Sequence, residues 1–360
     1  MSFPAPPAAI VGVARLVESR LDELLSAETS RWSAVDPELA VPLSDLRSSV
    51  LSGGKRLRAA FCYWAFVGSG GDASDPAVVG AAAALEMLHS AALVHDDIID
   101  SSERRRGAPT VHVANAARHE RVGWKGDSGH FGEGVAILVG VLALVYGDRL
   151  LAGAPPAALG VYDEMRLEVN FGQYLDVVGA ADSAGLAGEA GASRARRICR
   201  FKTAKYTVER PLHLGSALAD PVGFASAEGP LSAFGLPLGE AFQLRDDLLG
   251  VFGDPAITGK PVGGDLREGK PTLLASITLS RATGPAQEAF RSRFGAPDLD
   301  PAGVAVLQEI IEETGARRDL ELEVDRLVSQ AGAALATLPL SAGAVGPLGE
   351  LASYVAGRDR

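Results

Sequence analysis

Apolar residues recur along this chain at spacings of three and four, and the strict alternation of a half-buried strand is almost absent. That period lays one apolar stripe along each helix. From Ile10 to Leu25 the stripe consists of Val13, Leu16, Val17, Leu21, Leu24 and Leu25. The same pattern predicts helices over roughly 54–68, 76–103, 132–152, 157–179, 192–219, 226–252, 268–282, 302–314, 317–336 and 342–356. Glycine and proline punctuate the joins, as at Gly68-Ser69-Gly70-Gly71-Asp72 and Gly253-Asp254-Pro255. Two longer interruptions, 104–131 and 253–271, read as loops, and each directly follows an acidic cluster. Long irregular segments inside a compact chain are usually functional. No linker rich enough to divide the chain stands out, so the expectation is one all-α domain over residues 1–360.

Composition narrows the class. Of 360 residues 47% are hydrophobic, enough for a large core. The net charge of −11 argues against nucleic acid as a main partner, while leaving room for a local basic site. Cys62 and Cys199 lack a second Cys or His at metal spacing and read as buried free thiols in a reducing cytoplasm. Met1 to Pro7 has neither the basic start nor the apolar core of a secretory signal. The most apolar run, Val135 to Tyr146, is too short for a bilayer, which needs about 20 residues. It reads as a buried helix, and no transmembrane segment is expected.

Two carboxylate pairs carry the chemistry. Asp96-Asp97-Ile98-Ile99-Asp100 closes an apolar helix that contains Leu85, Leu88, Ala91, Ala92, Leu93 and Val94. Asp96 and Asp100 stand at i and i+4 and share a face. Asp246 and Asp247 follow Phe242-Gln243-Leu244-Arg245 in a similar setting. Adjacent acids at the end of a buried face repel and lose hydration, so they call for a counter-charge such as Mg²⁺. Arg104-Arg105-Arg106 follows the first cluster and suits oxygens that a metal also binds, although mutual salt bridging explains that segment as well.

Further cations sit at intervals. In Gly53-Gly54-Lys55-Arg56-Leu57-Arg58 two glycines open a helix, and Lys55 and Arg58 share a face, a weak anion-site signal by itself. His89 lies two turns before Asp96. Lys202-Thr203 puts a cation and a hydroxyl inside an apolar helix, and Lys260 and Lys270 flank the second acid pair in the glycine-rich segment. Gly172-Gln173 reads as a buried polar spot that core packing explains equally well. Gly264 to Lys270 has phosphate-loop spacing, but Pro271 replaces the Ser or Thr that would hold Mg²⁺, and no strand precedes it.

Taken in order, Gly53–Arg58, Asp96–Asp100 with Arg105-Arg106-Gly107, Lys202-Thr203, and Phe242–Lys270 resemble the trans-isoprenyl diphosphate synthases over about residues 40 to 275. The resemblance implies an all-α bundle around a central cavity, a homodimer, and three Mg²⁺ per site. It implies Asp96, Asp100 and Asp246 as direct metal ligands, with Asp97 and Asp247 in support. Arg105, Lys202 and Lys260 would bind an allylic diphosphate; Lys55, Arg58, His89 and Arg106 would bind isopentenyl diphosphate. Thr203 and Gln243 would lie beside the reacting carbon, with Lys270 as a further phosphate cation. Two positions depart from the family pattern. Gly250 stands where many relatives have a third Asp, and Val141 follows Gly140 where an aspartate is common.

In this family the residues four and five before the first Asp often floor the cavity, and here they are Ala92 and Ala91. Leu88 and Leu85 would come next, about 12 and 16 Å below Asp96 at 1.5 Å per residue. Small residues there imply a C20 product, geranylgeranyl diphosphate, with C15 and C25 or longer products as alternatives. A class I terpene cyclase would need an Asn/Ser/Glu metal motif in place of the second Asp pair. A non-catalytic partner subunit would have degraded acidic motifs.

Overall fold

A computed structural model describes residues 5–253, 263–296 and 298–357. Helices α1 (Ala8–Ser33), α2 (Ala40–Leu51), α3 (Leu57–Gly68) and α4 (Pro76–Ile99) open the chain. A hairpin of β1 (Arg104–Arg105) and β2 (Ala108–Pro109) leads to α5 (Val111–Val122), α6 (Ser128–Leu150), α7 (Pro156–Ala181) and α8 (Gly188–Ile198). A π-helical segment, Cys199–Glu209, runs into α9 (Arg210–Ala219), followed by the long α10 (Phe224–Phe252). Then come α11 (Gly264–Glu268), α12 (Leu273–Arg281), α13 (Gly284–Arg293), α14 (Pro301–Glu313), α15 (Ala316–Leu335) and α16 (Ala342–Ala356). The chain is all-α apart from that hairpin, in which Arg104 pairs with Pro109 and Arg105 with Ala108.

Helix α4 is central. Asp75 caps it by accepting from the Ala77 N–H, Pro76 opens it, and nearly every residue from Val78 to Leu88 is buried. It packs on α3 and α6, while α10 packs on the π segment and α15. The apolar core divides accordingly. Clusters built from α1–α9 fill one side, and a cluster around Leu244, Leu274, Phe290, Leu307 and Leu327 fills the other. The acid-bearing ends of α4 and α10 meet between them.

Several expectations change. Residues 104–131 are not a loop; they form the hairpin, α5 and the start of α6. Helix α5 escaped notice because it buries only Asn115 and His119 and so has no apolar stripe. The helix expected to reach 103 stops at Ile99, and Ser101 follows at φ +50°. Within 253–271, α11 breaks the expected loop and α12 begins only at Leu273. Cys62 and Cys199 are buried free thiols, as expected.

The run Val135–Tyr146 is not a buried helix. It lies inside the 23-residue α6, whose Ile137, Leu138, Val141 and Val145 face outward. By length and composition α4 and α6 could each cross a membrane, but α4 is mostly buried in the protein. Helix α7 also exposes apolar residues, Leu167, Phe171 (63% exposed), Tyr174 (66%) and Val177, and its Arg166 pairs with Asp148 of α6 at 2.8 Å.

Candidate active site

A cavity of 430 Å³ opens between α3, α4, α7, the π segment and α10. Asp96 and Asp246, from the two acidic helix ends, both line it. So do Lys55, Arg58, His89, Arg106, Lys202, Thr203 and Gln243, predicted residues drawn from five parts of the chain.

The carboxylates of α4 crowd the carbonyl end of the helix, where the dipole disfavours negative charge. Cations answer them. Lys202 Nζ lies 3.2 Å from Asp96 Oδ1 and 2.6 Å from Asp176 Oδ2. Burial alone would lower the Lys202 pKa, but Asp176 and Asp96 hold it above the ordinary lysine value. Arg105 grips Asp97 with Nε at 2.8 and 3.0 Å from the two carboxylate oxygens, and its second fork stands 3.8 Å from Asp96. Asp97 is buried and absent from the cavity wall, so in this structure Arg105 is committed to it. Asp100 lines a neighbouring 290 Å³ hollow with Lys270, whose Nζ lies 3.9 Å away. Burial and the nearby Asp96 push Asp100 up to about 6.

The end of α10 is different. Asp247 is buried, and Gln243 Nε2 donates to it at 2.7 Å. Burial first, then the charge of Asp265, pushes its carboxyl up to about 8.

Across the cavity stands a cationic cluster. The chain enters α3 through left-handed φ at Gly53, Gly54 and Arg56. Arg58 stacks on the Tyr206 ring at 4.2 Å and donates to Thr207 at 2.9 Å, while its buried Nε has no hydrogen-bond partner among the described residues. From the hairpin turn Arg106 reaches back to the Gly53 carbonyl and donates to Ser52 at 3.0 Å. Burial, then the charges of Arg58, Arg106, Arg105 and Arg56, drives His89 well below the ordinary imidazole value. His89 Nδ1 shares a hydrogen bond with the Tyr206 hydroxyl at 3.0 Å. So many converging positive charges, with an orphaned arginine nitrogen, make a receptor for a polyanion.

Some contributors are not among the expected site residues, although the sequence marks Gln173 as a buried polar spot. Gln173 donates to Asp96 at 3.0 Å, and Asp176 anchors Lys202 one turn further along α7. Their polar i, i+3 spacing on an apolar helix was the available signal. Gly172 lets α7 approach the π segment closely, because a Cβ there would meet the Lys202 nitrogen at 2.4 Å. Arg56 and Glu86 form a fully buried ion pair at 2.7 Å, which ties the start of α3 to α4 one turn before His89. The lone Glu86 in an otherwise apolar run pointed to it.

Other predictions fare differently. Of the pair expected to floor the cavity, Ala92 lines it, but Ala91 packs away into the core on the α1 and α6 side. Leu88 and Leu85 are likewise buried against Tyr162 and Met165 and do not border the cavity. Val141 is 45% exposed and sits on the open apolar face, so no buried polar contact is lost at that position. Lys260 lies outside the described residues.

Comparison with known proteins identifies the family. Residues 42–313 match the polyprenyl synthetase family. The chain belongs to that family. It is 35% identical to a geranylgeranyl diphosphate synthase of Mycobacterium tuberculosis over 68% of this chain and 64% of that protein. It is 31% identical to a short chain isoprenyl diphosphate synthase of Methanothermobacter thermautotrophicus over 79% of this chain and 80% of the relative. A crystal structure of geranylgeranyl pyrophosphate synthase from Corynebacterium glutamicum, complexed with isoprenyl diphosphate and magnesium, superposes with a TM-score of 0.88 at 38% identity. That superposition covers 97% of this chain and 99% of the other. Members of this prenyltransferase family are isoprenyl diphosphate synthases, and the relatives' names span farnesyl, geranylgeranyl and geranylfarnesyl products.

Proposed function

We propose that this chain condenses isopentenyl diphosphate with an allylic diphosphate in a Mg²⁺-dependent reaction to make geranylgeranyl diphosphate, C20. One observation carries the reading: the cationic cluster around neutral His89 faces Asp96 and Asp246 across the same cavity.

The donor set suits Mg²⁺. It consists of carboxylates alone, and burial leaves Asp100 and Asp247 short of compensating charge. Among the described residues no three metal-ligating side chains gather around one point. That fits an ion held by one or two carboxylates and completed by substrate phosphates. Asp96, Asp100 and Asp246 would hold such ions, three per site, with Asp97 and Asp247 behind them. Bound there, Mg²⁺ would neutralise charge on the departing diphosphate.

Lys202 binds the allylic diphosphate, with Lys270 beside it, Lys260 as a further cation, and Arg105 joining once the ligand draws it from Asp97. Lys55, Arg58, His89 and Arg106 bind isopentenyl diphosphate. The allylic C–O bond breaks, and its electron pair leaves on the diphosphate. The isopentenyl double bond attacks the carbocation, beside Thr203 and Gln243. A proton then passes to an oxygen of the released diphosphate. Apolar walls at Ala92, Leu93, Val169 and Phe242 keep water from the cation. The small Ala92 supports a C20 chain. We read the exposed apolar residues of α6 and α7 as covered by a second copy of the chain, because exposed apolar surface of that extent marks an interface. The buried free thiols suit a cytoplasmic homodimer built from one domain per chain.

Product analysis with dimethylallyl, geranyl and farnesyl diphosphates, each with labelled isopentenyl diphosphate, tests the reading. C20 is expected from all three. A C15 end product would overturn the chain length, and a cyclic hydrocarbon formed without isopentenyl diphosphate would overturn the reaction.

A further inference from the structure

The end of α4 presents Asp100 one turn after Asp96. One turn after Asp246 stands Gly250, on the same face of α10 and with no side chain. That space is filled from elsewhere. A Cβ built at Gly250 would lie 2.0 Å from Asp265 Oδ2 and 2.5 Å from Asp265 Cγ. The carboxylate of Asp265 therefore occupies the place where a side chain at 250 would begin.

Asp265 is held there by its own segment. The Lys270 N–H donates to the Asp265 carbonyl at 3.0 Å, and the Gly295 N–H donates to the Leu266 carbonyl at 2.8 Å. Leu266 is buried in the core cluster around α10 and α14. Lys270 Nζ lies 2.7 Å from Glu268, 3.6 Å from the Asp265 carboxylate and 3.9 Å from that of Asp100. The Asp265 side chain is 22% exposed, open enough to meet a ligand.

We propose that Asp265 is a further metal-binding carboxylate of the second acidic cluster, supplied by α11 in place of a side chain at position 250. The assignment rests on the Mg²⁺-dependent reading above. Gly250 is then a requirement: without its bare backbone the Asp265 carboxylate has no room. A carboxylate supplied by a separate short helix also lets the cluster form only when α11 is docked on α10.

Calorimetric titration of Mg²⁺ into the full chain, with saturating inorganic pyrophosphate, tests this directly. Asp265→Asn keeps the shape and removes the charge, and it should weaken Mg²⁺ binding about tenfold, the size seen when a partner of a metal site is removed. Its melting temperature without Mg²⁺ should stay level or rise. A fall would assign Asp265 a structural role and overturn the proposal. The exchange Gly250→Asp with Asp265→Gly should recover most of the lost affinity, since it moves the carboxylate to the other side of the same space. Asp265→Asn binding Mg²⁺ as the unaltered chain does would overturn the inference alone. An unaltered chain whose pyrophosphate binding ignores Mg²⁺ would overturn the functional reading and the inference together.

Discussion

At the end of α4 each carboxylate has a cation within reach: Lys202 at Asp96, Arg105 at Asp97, and Lys270 at the edge of Asp100. At the end of α10 the buried Asp247 faces an amide, Gln243, and a second carboxylate, Asp265. The two ends look alike as sequence, yet their electrostatics differ in degree: burial raises a carboxyl at each, Asp100 to about 6 and Asp247 to about 8. At the first, Asp96 and Asp97 have cations in contact, and only Asp100 is left short of charge. The second is under-compensated, so a cation is drawn there, and its ionisation waits for one.

The largest effect expected from breaking this arrangement is on turnover. Asp96→Ala and Asp246→Ala should each lower the rate by about 10²–10³-fold or more with helicity intact, as loss of a central electrostatic group does. Near-normal Mg²⁺-dependent activity in either variant would remove the basis of the site.

Stability should separate the two ends by sign. Without Mg²⁺, Asp97→Asn should destabilise the fold by about 1–2 kcal/mol, because Arg105, 31% exposed, loses its charged partner. Asp247→Asn should instead stabilise it by about 1–3 kcal/mol, since it removes a carboxyl that burial already disfavours. Urea unfolding measures both, and changes of the same sign would contradict the comparison.

The pH dependence sharpens it. In the folded chain Asp247 is carried from 3.8 to about 8 and Asp100 to about 6, so the folded state holds more protons than the unfolded one over that range. Metal-free stability from these groups is full below about pH 4 and falls as pH rises through 6 and then 8. Mg²⁺ competes with the same protons, so its affinity rises over this interval and binding releases protons. Calorimetry in buffers of different ionisation enthalpy counts them; none released at neutral pH would mean that neither group contacts the ion.

The smallest effect belongs to the first end. Gln173→Ala removes one hydrogen bond to Asp96 and leaves Lys202 in place, so kcat should fall by only about two- to tenfold. A loss as large as that of Asp96→Ala would make Gln173 a direct contact of the substrate.

Much of this was legible in the chain. Helices with a wide apolar stripe, such as α4, α10 and α15, were predictable, because burying that stripe is what stabilises them. Helices with little of it were not: α2 buries Leu43, Leu46 and Val50 around polar neighbours, and α13 buries only Phe290. In the site, clustered charges in apolar surroundings revealed Asp96, Asp100, Lys202 and Asp246. Partners separated by long stretches of chain did not announce themselves. Gln173 pairs with a residue 77 positions away, and Arg56 with Glu86 at 30.

The sequence by itself determined the helical class, the two acidic clusters, the family and the residue types that meet a diphosphate, because periodicity and clustered charge are local properties of a chain. Only the tertiary structure decided which acid is paired and which is exposed to the cavity, that Ala92 and not Ala91 faces it, and that Asp265 stands at Gly250. Those outcomes depend on distances and burial, which arise only when elements far apart in the chain pack together.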